Sequence, residues 1–527
     1  MNLIIFGDTK PDRKSKQAIL FAFHLVLFYL TVLLFNGYGF GSGDMTETLS
    51  LVIKGNQPEL FQGDLYVSSM MQSPINERNP FIWLLGLLSI IQESWAFILH
   101  AASALLLFAG MYKITALYIS SPFLRWVTLY IVVVGLHGVH LGGNDIYDTQ
   151  IAPSFPAKAF GIWAVYFFIQ RRIPRTSAFL LLAVIFQPLV AAQLLLIFGV
   201  ALLYQTLFCV FQWRRSHLWT VVFLLPMLLY LFTLKQYHHS EVLSATEYFQ
   251  IIHLRMDHHF FPSDFGIKNY LIYTLLFASS LFYFYHRGFL LFLFTCAVAL
   301  GGLIYSVGSA MNLELALQTQ WFKSTLWVEF LGVLGFSAWL SSRIRIQVQM
   351  SIFLIALLAI LSGIAFLGWP PLDNKSYDFG QRWKQNQEVK IAELAKQTTP
   401  LEAIFLIPPG STRFRHVAQR SVWVDFKSIS HNKSYLKAWS ERVQLVYGLK
   451  ASQIQRAGGF ECIPDAKTFY YSLTESQLWA LKKQKGVTHI LTKKEHILPF
   501  PVASKSEEYV VYEIGESPIL KSGEVSR

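Results

Sequence analysis

Apolar runs of membrane-crossing character recur through the first 368 residues of this 527-residue chain, and they constrain the fold more than any other feature. The runs are 18–35, 95–118, 124–142, 158–170, 188–210, 216–235, 269–286, 289–306, 324–342 and 348–368. A hydrocarbon core about 30 Å thick accepts such runs as helices. Residues 177–208 are too long for one upright crossing at about 1.5 Å per residue. Pro188 lies inside them. It removes a backbone N–H and disfavours helix at the residue before it. The stretch therefore divides into a short arm, 176–187, and a span, 188–210, which makes about eleven membrane helices. The segment 81–93 is too short to cross and is expected to lie at the interface.

Charge placement agrees with that division. Hydrophobic residues make up 53% of the chain and charged residues only 14%, against about 25% charged in soluble domains. Lipid can cover that much apolar surface, and a globular core cannot. The net charge of +12 does not describe a nucleic-acid-binding face, because the cations cluster in short loops. With a cytoplasmic N-terminus, Arg13, Lys14, Arg125, Arg171, Arg172, Arg214, Arg215, Arg287, Arg343 and Arg345 all fall inside, as the positive-inside rule requires. The loops 36–94, 143–157, 236–268 and 307–323 then lie outside, and they are long and polar. The expected organisation is a multi-pass transmembrane domain, 1–368, followed by an extracytoplasmic α/β domain, 369–527. In the latter, AIFLI (403–407), SVWVD (421–425), GVTHILT (486–492) and EYVVYEI (508–514) have the character of strands. Residues 387–396, 434–448 and 474–485 have that of helices, the last opening on a Thr–x–x–Gln capping box. No disulfide framework, zinc motif, P-loop or nucleophile elbow is present.

The outer loops hold the candidate chemistry. Asp44 and Glu47 follow glycines 37, 39, 41 and 43, and Asp64 comes later. A carboxylate at the mouth of a membrane protein is suited to taking a proton from an acceptor hydroxyl; the alternative is an acidic helix N-terminus in solvent. Asp145 and Asp148 are candidate oxygen ligands for Mg²⁺ or Mn²⁺, or residues that merely turn the loop. The third loop carries His238, His239, His253, His258 and His259. His253 and Asp257 would share a helix face at ligand spacing. The preferred reading makes Arg255, His258 and His259 a phosphate-binding patch, with Arg255 as a two-pronged donor. Lys323 is placed at the outer interface, where it joins the phosphate-binding residues, and Glu329 deeper in the bilayer, where an ionisable group needs a partner. Arg413, Arg415 and Arg420 follow the strand at 403–407, where open parallel sheets bind ligands.

A cytoplasmic N-terminus, one span, a long acidic outer loop, about eleven spans and an external C-terminal domain together resemble the GT-C superfamily of integral membrane glycosyltransferases. The stretch TPLEAIFLIPPGSTRFRHVAQRSVWVDFKSI, the following KAWSERV, and the His258–His259 pair before Pro262 also resemble a family of bacterial multi-pass proteins of GT-C-like architecture. The resemblance implies transfer of a sugar from a polyprenyl-phosphate donor to an envelope or lipid acceptor, on the outer face of a bacterial inner membrane. It implies that Asp44 is the acidic residue of the first loop. It also implies that Asp145 and Asp148 correspond to the second acidic motif of metal-dependent members, although their spacing is D-x-x-D. A transporter or flippase of a lipid-linked envelope component, and a non-catalytic scaffold, are the alternatives.

Overall fold

The computed structural model describes residues 13–72, 76–88, 92–208, 218–238, 242–343, 377–453 and 458–515. The expected span 348–368, the expected boundary at 368/369, and Arg214, Arg215, Arg345 and His239 lie outside the described residues.

The chain is a multi-pass helical membrane protein with a small mixed sheet at its C-terminal end. Six described helices are long and apolar enough to cross a membrane: Ser15–Asn36, Glu93–Thr115, Pro188–Phe208, Leu218–Lys235, Phe289–Ala310 and Glu314–Arg343. Pro122–Gly135, Ser154–Ile169 and Ile173–Phe186 are apolar but shorter. Ile267–Arg287 packs beside Thr325–Arg343. There, Gly332 admits the backbone of Leu276 so closely that a Cβ would lie 2.6 Å from its carbonyl oxygen, and Gly335 packs tightly against the Ser279 backbone.

The break expected at Pro188 is present. The helix Ile173–Phe186 stops at Gln187, which is extended (φ −145°, ψ 103°), and a new helix starts at Pro188. The run at 124–142 is shorter than expected. Its helix gives way to a π-helical turn at Ile131–Gly135 and ends there. Glycines 138, 142 and 143 then take positive φ, a conformation that turns the chain out of any helix. Residues Asn79–Leu87 form a short helix with Trp83 and Leu87 exposed, as befits an interfacial segment.

The C-terminal sheet has the order Ser421–Val422 (β4), Ile404–Leu406 (β3), His489–Lys493 (β5), Tyr509–Glu513 (β7), Val502–Lys505 (β6). Strands β3 (Ile404–Leu406) and β4 (Ser421–Val422) are parallel, as expected, and β5 (His489–Lys493) pairs with β3 in the same sense. Strand β7 (Tyr509–Glu513) runs antiparallel to β5 and forms a hairpin with β6 (Val502–Lys505), a strand the sequence did not reveal. Alternation along each strand divides the core between two faces. Leu406, Ile490, Val510 and Tyr512 join an apolar cluster continuous with the membrane helices. Phe405, Leu491 and Val511 join a smaller cluster with Ile391 on the opposite face. The helix Glu475–Lys485 carries the expected capping box, Thr474 with Gln477.

Strands β1 (Tyr38–Gly39) and β2 (Tyr377–Asp378) pair in parallel, so the loop after the first long helix is pinned to the start of the C-terminal region. Gly39 N–H also donates to the Thr149 carbonyl of the second loop (2.9 Å). This three-way junction fixes the chain immediately before Asp44.

Candidate functional site

Glycine makes the approach to Asp44 possible. Gly41 (φ +57°) and Gly43 (φ +50°) sit in the left-handed region. A Cβ on Gly41 would lie 2.9 Å from Trp383 Nε1. Asp44 then stands at the N-cap of the helix Met45–Asn56, yet its carboxylate makes no capping hydrogen bond. The ordinary use of an aspartate at that position is therefore not what holds it. Its side chain is 62% accessible, although charged groups from four separate segments act on it, so it lines an open recess.

Those groups are cations. Lys427 Nζ, from the segment after β4, is 3.9 Å from Asp44 Oδ1 and only 13% accessible. Arg78, Lys323 and Arg255 also bear on the carboxylate electrostatically. Crowding by protein pushes the Asp44 carboxyl up, but Lys427, Arg78, Lys323 and Arg255 together outweigh it and hold it below the usual carboxylate range. Burial lowers Lys427, against the pull of Asp44 and Glu47. The Lys323 ammonium has no hydrogen-bond or ion-pair partner among the described residues.

Glu47, expected to act beside Asp44, is buried and engaged elsewhere. Arg78 Nη1 donates to its Oε2 at 2.5 Å and to Tyr66 Oη at 2.8 Å. Glu47 therefore positions Arg78 and does not share the open face with Asp44. Asp64 is fully buried. It accepts from Arg415 Nε (2.7 Å), Val422 N–H (2.9 Å) and Val67 N–H (3.0 Å), locking the first loop onto the C-terminal layer.

The third loop differs from the expected phosphate fork. Arg255 is buried, and its Nε and Nη2 both donate to the Lys427 carbonyl at 3.1 and 2.7 Å. Its guanidinium also lies over Phe426 and Phe460. Two prongs are thus committed to holding the segment that carries Lys427. Within the helix Ala245–Phe260, Met256 is non-helical (φ −138°, ψ 38°). That kink separates His253 from Asp257. His253 faces Asp264 (3.4 Å), and Asp257 faces His258 (3.1 Å). His259 Nδ1 donates to the Gly142 carbonyl at 3.0 Å. Burial first, then Lys323 and His258, hold this imidazole well below its ordinary pKa, so it is neutral and adds no charge for an anion. Its ring lies 4.1 Å from that of His258.

In the second loop the two aspartates diverge. Asp145 Oδ1 accepts from Gly138 N–H (3.1 Å), and Oδ2 lies 3.6 Å from His137. Asp148 Oδ2 accepts from Lys158 Nζ (2.7 Å) and Ser154 Oγ (2.9 Å). Lys158 Nζ also reaches the Asp145 carbonyl (2.6 Å) and Asn144 Oδ1 (3.4 Å). An ammonium already stands among the oxygens that Mg²⁺ or Mn²⁺ would need, so these residues do not fit the expected metal. Among the described residues no three His, Cys, Asp or Glu side chains converge to hold an ion.

Deeper in the bundle, Glu329 is buried and accepts from Tyr273 Oη at 3.1 Å, which supplies the partner its depth requires. Of the three C-terminal arginines, Arg415 bridges Asp64 and Asp425. Arg413 pairs with Asp378, and Arg420 ties down the carbonyls of Lys396 and Thr399. All three are structural ties.

Asp44, Arg255 and Lys323, named from sequence, do come together; the residues that sequence reasoning missed are Lys427, Arg78 and Lys158. Lys427 had a signal. It follows the C-terminal end of a parallel strand, as Arg413, Arg415 and Arg420 also do.

A domain of unknown function (DUF6798) matches residues 386–446, within the C-terminal layer. No curated protein matches the chain. Among solved structures the chain is similar to crystal structures of ArnT from Cupriavidus metallidurans, one bound to undecaprenyl phosphate and one in the apo state. For each, identity is 11%, the TM-score is 0.45, and the alignment covers 95% of this chain and 98% of that chain.

Proposed function

We propose that the recess around Asp44 transfers a sugar from a polyprenyl-phosphate donor to a hydroxyl acceptor at the outer face of a bacterial inner membrane. The observation that carries this reading is an accessible, uncapped carboxylate ringed by Lys427, Arg78, Lys323 and Arg255, beside helices fit for lipid. Asp148 and Asp425, the other acids that act on Lys323, Lys427 and Arg255, are engaged by Lys158 and Arg415, and Glu47 by Arg78, so an anionic group is the ligand best matched to the cations around Asp44.

In this mechanism the donor phosphate meets Lys323 and Lys427. The acceptor oxygen bonds to the anomeric carbon from the face opposite the phosphate, inverting it. The carbon–oxygen bond to phosphate breaks, and its electron pair leaves on the phosphate oxygen, where the two ammonium groups stabilise it. The acceptor proton goes to Asp44. Arg255 and Glu47 are positioning residues, the first holding the Lys427 segment and the second holding Arg78.

The same charges explain when Asp44 would act. The cations depress its basicity. A bound phosphate cancels part of that field and raises it, so the base strengthens once the donor is seated. The test is Asp44→Asn in nanodiscs, with a polyprenyl-phosphate sugar as donor to read transfer and polyprenyl monophosphate to read binding. The expected result is loss of transfer together with unchanged or tighter lipid-phosphate binding, by up to about fivefold. Weakened binding in Asp44→Asn, or unchanged binding in a Lys323→Ala/Lys427→Ala double variant, would overturn the assignment.

A further inference from the structure

The ammonium of Lys158 has a setting that the glycosyl-transfer reading does not use. Its side chain is 0% accessible. It has three N–H bonds and meets three oxygens: the Asp148 carboxylate at 2.7 Å, the Asp145 carbonyl at 2.6 Å and the Asn144 amide oxygen at 3.4 Å. All its donors therefore have acceptors. Carboxylate, carbonyl and amide oxygens from one loop are also the donor types a hard divalent cation selects. We infer that Lys158 is the resident cation of the second outer loop, a charge tethered by the chain where an ion would otherwise be bound.

Local structure explains how the lysine arrives there. Lys158 is one turn into the helix Ser154–Ile169, and helical side chains lean back toward the N-terminus. Its stem thus runs toward the loop 144–148 that precedes the helix. The loop is braced for it from two sides. Ser154 Oγ donates to Asp148 Oδ2 (2.9 Å). His100 Nε2 lies 2.9 Å from the Asp148 carbonyl, with Nδ1 3.0 Å from Tyr29 Oη. Because Nε2–H donates to that carbonyl, Nδ1 accepts from the tyrosine. The Asp145 carboxylate points the other way, to Gly138 and His137. The loop thus lends its carbonyl and one carboxylate to the ammonium, and two converging carboxylates are not available.

The loop also touches the recess. The Gly142 backbone packs against Phe322 and Lys323, where a Cβ would come within 3.1 Å of Lys323 N, and Gly142 receives His259. A tethered monovalent charge here is fixed in place and does not depend on ion supply.

The experiment uses the full chain in nanodiscs with Mn²⁺ as the probe, read by electron paramagnetic resonance and by thermal unfolding; it is independent of any transferase activity. Wild type is expected to bind no Mn²⁺ at this loop, and neither Mn²⁺ nor EDTA should shift its Tm. Lys158→Ala should lower Tm, gain bound Mn²⁺ and recover part of the loss on adding it; a further Asp148→Asn should abolish that binding. Bound Mn²⁺ in wild type that disappears in Asp148→Asn would overturn the proposal, as would a folded Lys158→Ala that binds none. If Lys158→Ala does not fold, Lys158→Met/Asp148→Asn decides. Restored folding shows that the unpaired carboxylate was the defect, and failure to restore it overturns the assignment.

Discussion

Asp44 and Asp148 stand in adjoining loops and have opposite surroundings. Asp148 is closed: a fully buried lysine four residues into the next helix takes its charge at 2.7 Å, and a serine covers the same oxygen. Asp44 is open: its nearest cation is 3.9 Å away, its helix N-terminus makes no use of it, and it remains 62% accessible. Asp64 belongs with Asp148, buried on Arg415 and two backbone N–H groups. A carboxylate satisfied by a dedicated partner fixes structure, because removing either member leaves an uncompensated buried charge. A carboxylate kept accessible within a field of cations that other loops supply is left with reactive capacity. Residue type was the same in all three cases, and the arrangement of partners separated them.

The contrast predicts effects of different kind and size. Asp44→Asn should reduce transfer about 10²–10⁴-fold, as loss of a positioned base does, with Tm little changed; sugar transfer from a polyprenyl-phosphate donor is the measurement. Arg415→Met should do the reverse. It leaves Asp64 and Asp425 buried without their cation and should cost about 3–5 kcal/mol of stability, seen in denaturation of the detergent-solubilised protein. An Asp64→Asn/Arg415→Met pair that is no better than Arg415→Met alone would remove Asp64 from the closed class. Lys427→Ala should weaken binding of polyprenyl monophosphate about ten- to hundredfold, the scale of one charge-assisted hydrogen bond, in a lipid-binding titration.

The smallest effect is on pH dependence. The cations hold the free Asp44 carboxyl below its usual range, and a bound anion moves it up. Binding therefore takes up a proton between the two values, and affinity for a lipid phosphodiester should rise as pH falls through that window. Asp44→Asn should flatten the slope. Asp44's own contribution to folding has the sign of a depressed acid: it is present above the unfolded-state pKa and is lost as pH falls through the depressed one.

Much of the architecture was legible because its signals are local. Apolar runs, the interruption at Pro188, the short apolar strands at 403–407 and 508–514, and the Thr474 capping box each depend on residues a few positions apart. The shortened helix after Pro122 was missed because the apolar run continues past the glycines that end it. Strand β6 was missed because Val502–Lys505 is short and half polar, and only its pairing with β7 makes it a strand.

The candidate site divides in the same way. From sequence, Asp44, Arg255 and Lys323 could be marked as ionisable groups at the outer rim, since charge in an apolar chain is conspicuous wherever it falls. What each charge faces was decided by the tertiary structure. Glu47 went to Arg78, Asp64 to Arg415, and Asp148 to Lys158, while Arg255 turned to the Lys427 carbonyl. Asp64 and Arg415 are 351 residues apart in the chain. No local pattern encodes a pairing across such a distance. An ion pair forms only where two groups meet within a few ångströms in space, however far apart they lie in sequence, so only the folded chain determines which aspartate is closed by a partner and which stays open.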